Sequence, residues 1–150
     1  GLDFDDTNNE VIWDGKRVSN KAAGIAYHRA KLCNLHMMAA LHERLQGDCV
    51  TVNAVSPGHF VNTTLRREMT GVLSLGAKLA SGLLNLKTPA QGAQTCLWLA
   101  SSVDIEGVSG QYFEACKEKA LSELADDAAV REQLWDWSER VSGVSWGDSV

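Results

Sequence analysis

From about Lys21 to Gln46 the apolar positions recur at helical intervals. Leu35, Met38, Leu41 and Leu45 mark one stripe, and Leu32, Cys33, His36 and Met37 widen it. Gly47, tolerant of left-handed geometry, is a natural stop for that helix. The period then changes. Cys49 to Val55 is a short, β-branched apolar run closed by Pro57 and Gly58, and it predicts a strand of a parallel sheet covered on both faces. Leu65 to Leu86 reads as one or two amphipathic helices interrupted by Gly71, Gly76 and Gly82. Thr88-Pro89-Ala90-Gln91 predicts a helix start, with Thr88 as N-cap, Pro89 in the first helical position and Gln91 closing a capping box. That helix carries Ala93, Leu97, Trp98 and Leu99 to about Ser101, and Val108 to Phe113 predicts a second strand. A last helix runs from Asp127 to Ser142, with Val130, Leu134, Trp137 and Val141 on one face and Gly143 as its stop. Residues 1–20, rich in Asp and Asn with Trp13 as the main apolar landmark, read as a surface excursion.

Strand, helix-containing crossover, strand makes a right-handed βαβ unit. Two strands are too few for an independent α/β sheet, and the first would present an unpaired apolar edge to water. The pattern therefore predicts a helix-rich α/β chain forming the C-terminal part of a doubly wound parallel sheet whose first strands are missing.

Composition narrows the partners. Hydrophobic residues make up 45% and charged residues 22%, as in an ordinary globular domain. A net charge of −5 without a basic stripe argues against a nucleic-acid partner. The four cysteines, Cys33, Cys49, Cys96 and Cys116, stand singly and read as reduced, mostly buried thiols of a cytoplasmic protein. No apolar run has the length of a membrane span.

Chemistry concentrates at Tyr27 and Lys31, four residues apart and hence one helical turn apart on the same face. An ordinary tyrosine is a poor proton donor or acceptor at neutral pH. A fixed cation beside it favours the phenolate and makes proton exchange practicable.

The segments Ala26-Tyr27-His28-Arg29-Ala30-Lys31-Leu32-Cys33-Asn34, Val50 to Gly58, Thr88 to Ala93, Glu106 to Phe113 and Leu134 to Glu139 follow a recognisable order and spacing. In them the chain resembles the C-terminal half of the short-chain dehydrogenase/reductase family, in its retinol-dehydrogenase-like branch that includes the WW-domain-containing oxidoreductase. The resemblance implies a Rossmann-type fold and an oxidoreductase that interconverts an alcohol and a carbonyl with NADP or NAD. Tyr27 would be the acid/base, and Lys31 would hold the nicotinamide ribose and assist the tyrosine. Pro57 and Gly58 would end the strand beside the nicotinamide, with Val61 and Thr63 as further cofactor contacts. Position 62 is Asn and position 30 is Ala where many members have Ser or Thr. The family's Gly-rich turn, catalytic serine and active-site asparagine would lie upstream of Gly1. Ser19, eight residues before Tyr27 and within the excursion, does not replace that serine.

The implied divisions are a surface excursion at 1–20, an active-site helix at 21–47, a strand at 48–58, a substrate lid at 62–87, a helix and last strand at 88–114, and a C-terminal helix at 126–143. The apolar lid suits a small retinoid- or steroid-like alcohol or carbonyl. Arg66, Arg67, Lys78 and Lys87 around it allow a peripheral membrane contact, and the fold leaves room for a homo-oligomer. The alternative reading is a catalytically incomplete, truncated paralogue or fragment serving as an interaction module, since half of the site is missing.

Four further features carry less. His42-Glu43 begins like a zinc-protease helix, but Gln46 stands where the second histidine is needed. Gly71 to Lys78 lacks the Gly-Lys-Ser/Thr ending of a phosphate loop, and His59 reads as a solvated loop residue. Asn62-Thr63-Thr64 matches a glycosylation acceptor, relevant only to a secreted chain.

Overall fold

A computed structural model describes residues 1–10, 20–58 and 87–147. In chain order the elements are α1 (Asn20–Arg44), β1 (Ala54–Ser56), α2 (Pro89–Ser101), a 3-10 turn (Val103–Ile105), β2 (Tyr112–Glu114), β3 (Lys117–Glu118) and α3 (Ala128–Ser142). The described residues form two compact units. One comprises 1–10, 20–54, 107–112 and 120–147; the other comprises 55–58, 87–106 and 113–119.

In the first unit α1 packs against α3. The buried centre of α1 is Ala22, His36, Met38, Ala39 and Ala40, while Leu35, Leu41 and Leu45 are only half-buried. The alanines displace the leucine stripe because small side chains let the neighbouring helix approach closely. Helix α1 stops two residues short of Gln46, and Gly47 takes a φ of +99° in the turn that follows. Arg44 sits at the end where cations suit the helix dipole, donating to the Ala40 carbonyl at 3.3 Å.

Helix α3 begins at Asp127, whose Oδ1 accepts from the Ala129 and Val130 amides at 3.0 and 3.1 Å, and stops at Gly143 with φ +70°. Its buried face differs from the expected one. Arg131, Leu134 and Trp135 are buried, whereas Val141 is 65% exposed. Trp135 turns inward because the Arg44 guanidinium lies 4.0 Å over its ring and the Trp146 ring meets it edge-on at 5.5 Å. Arg44 also donates to both Glu132 carboxylate oxygens, at 2.9 and 3.2 Å, which holds that carboxyl below the usual range.

The sheet has strand order β1-β2-β3, with β1 at its edge among the described residues. The strand expected over 48–58 shrinks to Ala54–Ser56, and Val50 is 53% exposed rather than covered. Side chains take over ahead of it. Asn53 Nδ2 donates to the Val108 carbonyl at 2.7 Å, its Oδ1 accepts from the Gln111 amide at 3.0 Å, and Ser109 Oγ accepts from the Val52 amide at 3.0 Å. Such bonds compete with a regular ladder. The Gly110 amide donates to Val52 and the Ala54 amide to the Gln111 carbonyl, so the two segments run in the same direction.

The second strand starts late, at Tyr112, because Gly110 stands at φ +79°. It then enters a hairpin the sequence did not announce, antiparallel with Phe113 opposite Glu118 and Glu114 opposite Lys117. The two turn residues, Ala115 and Cys116, have φ +54° and +57°, the geometry of a type I′ turn usually made by Asn-Gly. Thr95 Oγ1, buried on α2, accepts from the Cys116 amide at 3.3 Å and holds the turn in place.

Helix α2 follows its expected start closely. Thr88 Oγ1 accepts from the Gln91 amide at 3.2 Å, Gln91 Oε1 accepts from the Thr88 amide at 2.8 Å, and Pro89 opens the helix. Trp98 on this helix meets Phe113 edge-on at 5.5 Å. Thr88→Ala is expected to cost about 1 kcal/mol and Thr88→Ser much less, read from urea unfolding of the full-length protein.

Candidate functional site

Tyr27 and Lys31 share one face of α1, both exposed, the tyrosine at 53%. Lys31 Nζ lies 5.5 Å from the Tyr27 ring centroid, and the His28 ring meets the tyrosine edge-on at 5.7 Å. The pair therefore presents a phenol and an ammonium group side by side on a rigid helical turn.

Arg29, between them in sequence, fixes that turn. Its Nη1 donates to Asn9 Oδ1 at 2.7 Å, with Asp3 and Asp6 carboxylates at 4.0 Å. Residues 1–10 are thus held on α1 rather than left free. They line one side of an open cleft of about 290 Å³ whose walls include Leu2, Phe4, Ala30, Cys33, Leu134 and Trp137. Burial pushes the Cys33 thiol up, so it stays protonated. Sequence reasoning missed Arg29; the available signal was the cluster Asp3, Asp5 and Asp6 with no cation of its own.

Pro57 and Gly58 belong to the other unit and follow β1 directly. Gly58 has φ +84°, its amide donates to Ser56 Oγ at 3.1 Å, and Lys87 Nζ donates to the Pro57 carbonyl at 3.4 Å. A Cβ at Gly58 would stand 2.5 Å from Lys87 Nζ. The turn thus combines a backbone shape that favours glycine with a cation, Lys87, which the sequence offered only as a charge flanking the lid. Val61, Thr63, His59 and all of the expected lid at 62–87 except Lys87 lie outside the described residues.

His42 is committed elsewhere: its Nδ1 is 2.9 Å from Ser109 Oγ. No helix of the described residues is long and apolar enough to cross a membrane, and no group of three or more His, Cys, Asp and Glu among them could hold a metal ion.

No family model matches the chain. Curated proteins do. The chain is 42% identical over 149 residues to retinol dehydrogenase 14 of Homo sapiens, covering 95% of this chain and 40% of that protein. It is 35% identical over 151 residues to retinol dehydrogenase 13 of Mus musculus, covering 96% and 42%. The WW domain-containing oxidoreductase of Danio rerio is 37% identical over 117 residues, 78% of this chain and 28% of that protein. These relatives are members of the short-chain dehydrogenase/reductase family, and the chain is homologous to them. It spans about two fifths of the length of the retinol dehydrogenases it matches. As a homologue of these oxidoreductases it keeps an α/β arrangement, with helices beside a small sheet of mixed direction.

Proposed function

We propose that the chain is the C-terminal part of a Rossmann-type, NAD(P)-dependent oxidoreductase that interconverts an alcohol and a carbonyl on an apolar substrate. The observation that carries this reading is the exposed Tyr27–Lys31 pair, one turn apart on α1, in a chain 42% identical to a retinol dehydrogenase.

The donor set suits a nicotinamide nucleotide. Lys31 offers an exposed ammonium group to ribose hydroxyls, and after β1 Gly58, at φ +84°, keeps the backbone bare beside the Lys87 ammonium group. Lys31, Tyr27, Pro57, Gly58, Val61 and Thr63 would hold the nucleotide, which when bound supplies or accepts the hydride. Tyr27 Oη gives a proton to the carbonyl oxygen in reduction and takes it from the hydroxyl in oxidation. Lys31, with its Nζ 5.5 Å from the Tyr27 ring centroid, would hold the ribose hydroxyls and assist the tyrosine. The apolar stretch at 62–87 would cover the substrate, and the divisions at 1–20, 21–47, 48–58, 88–114 and 126–143 stand as parts of one nucleotide-binding domain.

We further infer that the 150-residue chain alone is inactive, because the Gly-rich turn and the serine have no counterpart in its sequence. We place the protein in a reducing compartment on its singly spaced cysteines, of which Cys33 and Cys116 are half-buried and Cys49 and Cys96 exposed rather than mostly buried as expected. Lys31→Met in the full-length protein is expected to weaken nucleotide binding by about tenfold or more and to slow turnover as well. Unchanged affinity, measured by titration with NADH and NADPH, would remove Lys31 from the site.

A further inference from the structure

His36 lies at the middle of α1, 1% exposed, and neither ring nitrogen has a hydrogen-bond partner. Buried polar atoms are paired in the great majority of cases, so an orphaned imidazole calls for an explanation. The charged groups that face it come from α3 and its cap: the Arg131 guanidinium and the Asp127 carboxylate. The Leu124 backbone lies near the ring without closing a hydrogen bond. Arg131 is itself buried, with Nε unpartnered and Nη1 paired to Glu43 at 3.3 Å.

We propose that the contact between α1 and α3 is an acid-labile clasp, in which protonating His36 places a second cation beside Arg131 and loosens the C-terminal helix from α1. A neutral ring fits this buried contact at modest cost. A charged one does not, because no acceptor is bonded to it and Arg131 repels it.

Burial, the largest influence, holds His36 below the ordinary imidazole range, outweighing the nearby Leu124 backbone; Arg131 lowers it further and Asp127 opposes. The sign of the pH effect follows. The unfolded ring takes up its proton near its ordinary value of about 6.5, the folded ring only below that. Between the two values the opened state binds more protons, so the clasp is fully stable above about pH 6.5 and weakens as pH falls. The proposal does not depend on the reaction catalysed, since its readout is local opening.

Hydrogen exchange of the full-length protein, corrected for the intrinsic pH dependence of exchange, tests it. Peptides covering 33–44 and 128–142 should open more as pH falls below about 6.5, by up to about tenfold per pH unit for one linked proton. In His36→Leu that slope should vanish. An equal slope in His36→Leu, or a flat profile in the unaltered protein, would overturn the clasp. Proton NMR of the histidine rings in the unaltered protein gives an answer without any variant. A His36 midpoint well below 6.5 supports the proposal, and an ordinary midpoint refutes it.

Discussion

Tyr27→Phe in the full-length protein is expected to lower turnover by about 10²–10⁴-fold, the range for losing a positioned general acid/base. The nucleotide affinity should change little, because the substitution removes only a hydroxyl. The fold should survive too: the tyrosine is 53% exposed, no hydrogen bond of its hydroxyl supports the described structure, and its ring stays beside Lys31 and His28. The informative pattern is therefore a collapse of kcat with nucleotide binding and melting behaviour preserved. Turnover within a few-fold of the unaltered protein would dismiss Tyr27 as the proton-transfer group. A parallel loss of nucleotide binding would instead assign it a structural part in the site. Lys31→Met should give the complementary pattern, with affinity reduced as well as rate.

How much of this was legible beforehand depends on whether the determining contact was local. The start of α2 was readable to the residue, because Thr88, Pro89 and Gln91 act within a single turn. The ends of α3 were readable for the same reason, through Asp127 and Gly143. The Tyr27–Lys31 pair needed only a helix beneath it. What failed were decisions made by distant partners. The face of α3 rotated toward Trp135 because Arg44, far away in sequence, lies on that ring. The strand near 48–58 shortened because Asn53 and Ser109 join segments more than fifty residues apart through their side chains. The β2–β3 hairpin was hidden by an Ala-Cys turn that lacks the usual Asn-Gly signature and rests on Thr95. Arg29 escaped notice because its meaning depends on residues 3–9 folding back onto α1.

Gly110→Ala is expected to destabilise the full-length protein by about 2–4 kcal/mol, far more than an ordinary surface change. Two costs add. At φ +79° an L-residue is strained by about 1–2 kcal/mol. The new Cβ would also stand 2.6–2.9 Å from three atoms of the His42 ring, closer than such atoms can approach. The ring cannot simply swing aside, because its Nδ1 is bonded to Ser109 Oγ, and losing that bond costs a further 0.5–1.5 kcal/mol or about that. Nor can the backbone retreat freely, since the Gly110 amide donates to the Val52 carbonyl at 2.7 Å. Gly107 supplies the control: its φ is +75°, yet nothing lies within 4 Å of a Cβ there. Gly107→Ala should therefore show the conformational cost alone, about 1–2 kcal/mol. A second comparison isolates the ring. In a His42→Ala background the clash is gone, so adding Gly110→Ala should cost no more than Gly107→Ala does. Urea unfolding of the four variants decides the matter. If Gly110→Ala and Gly107→Ala prove equally costly in the unaltered background, the His42 ring does not hold this segment in place.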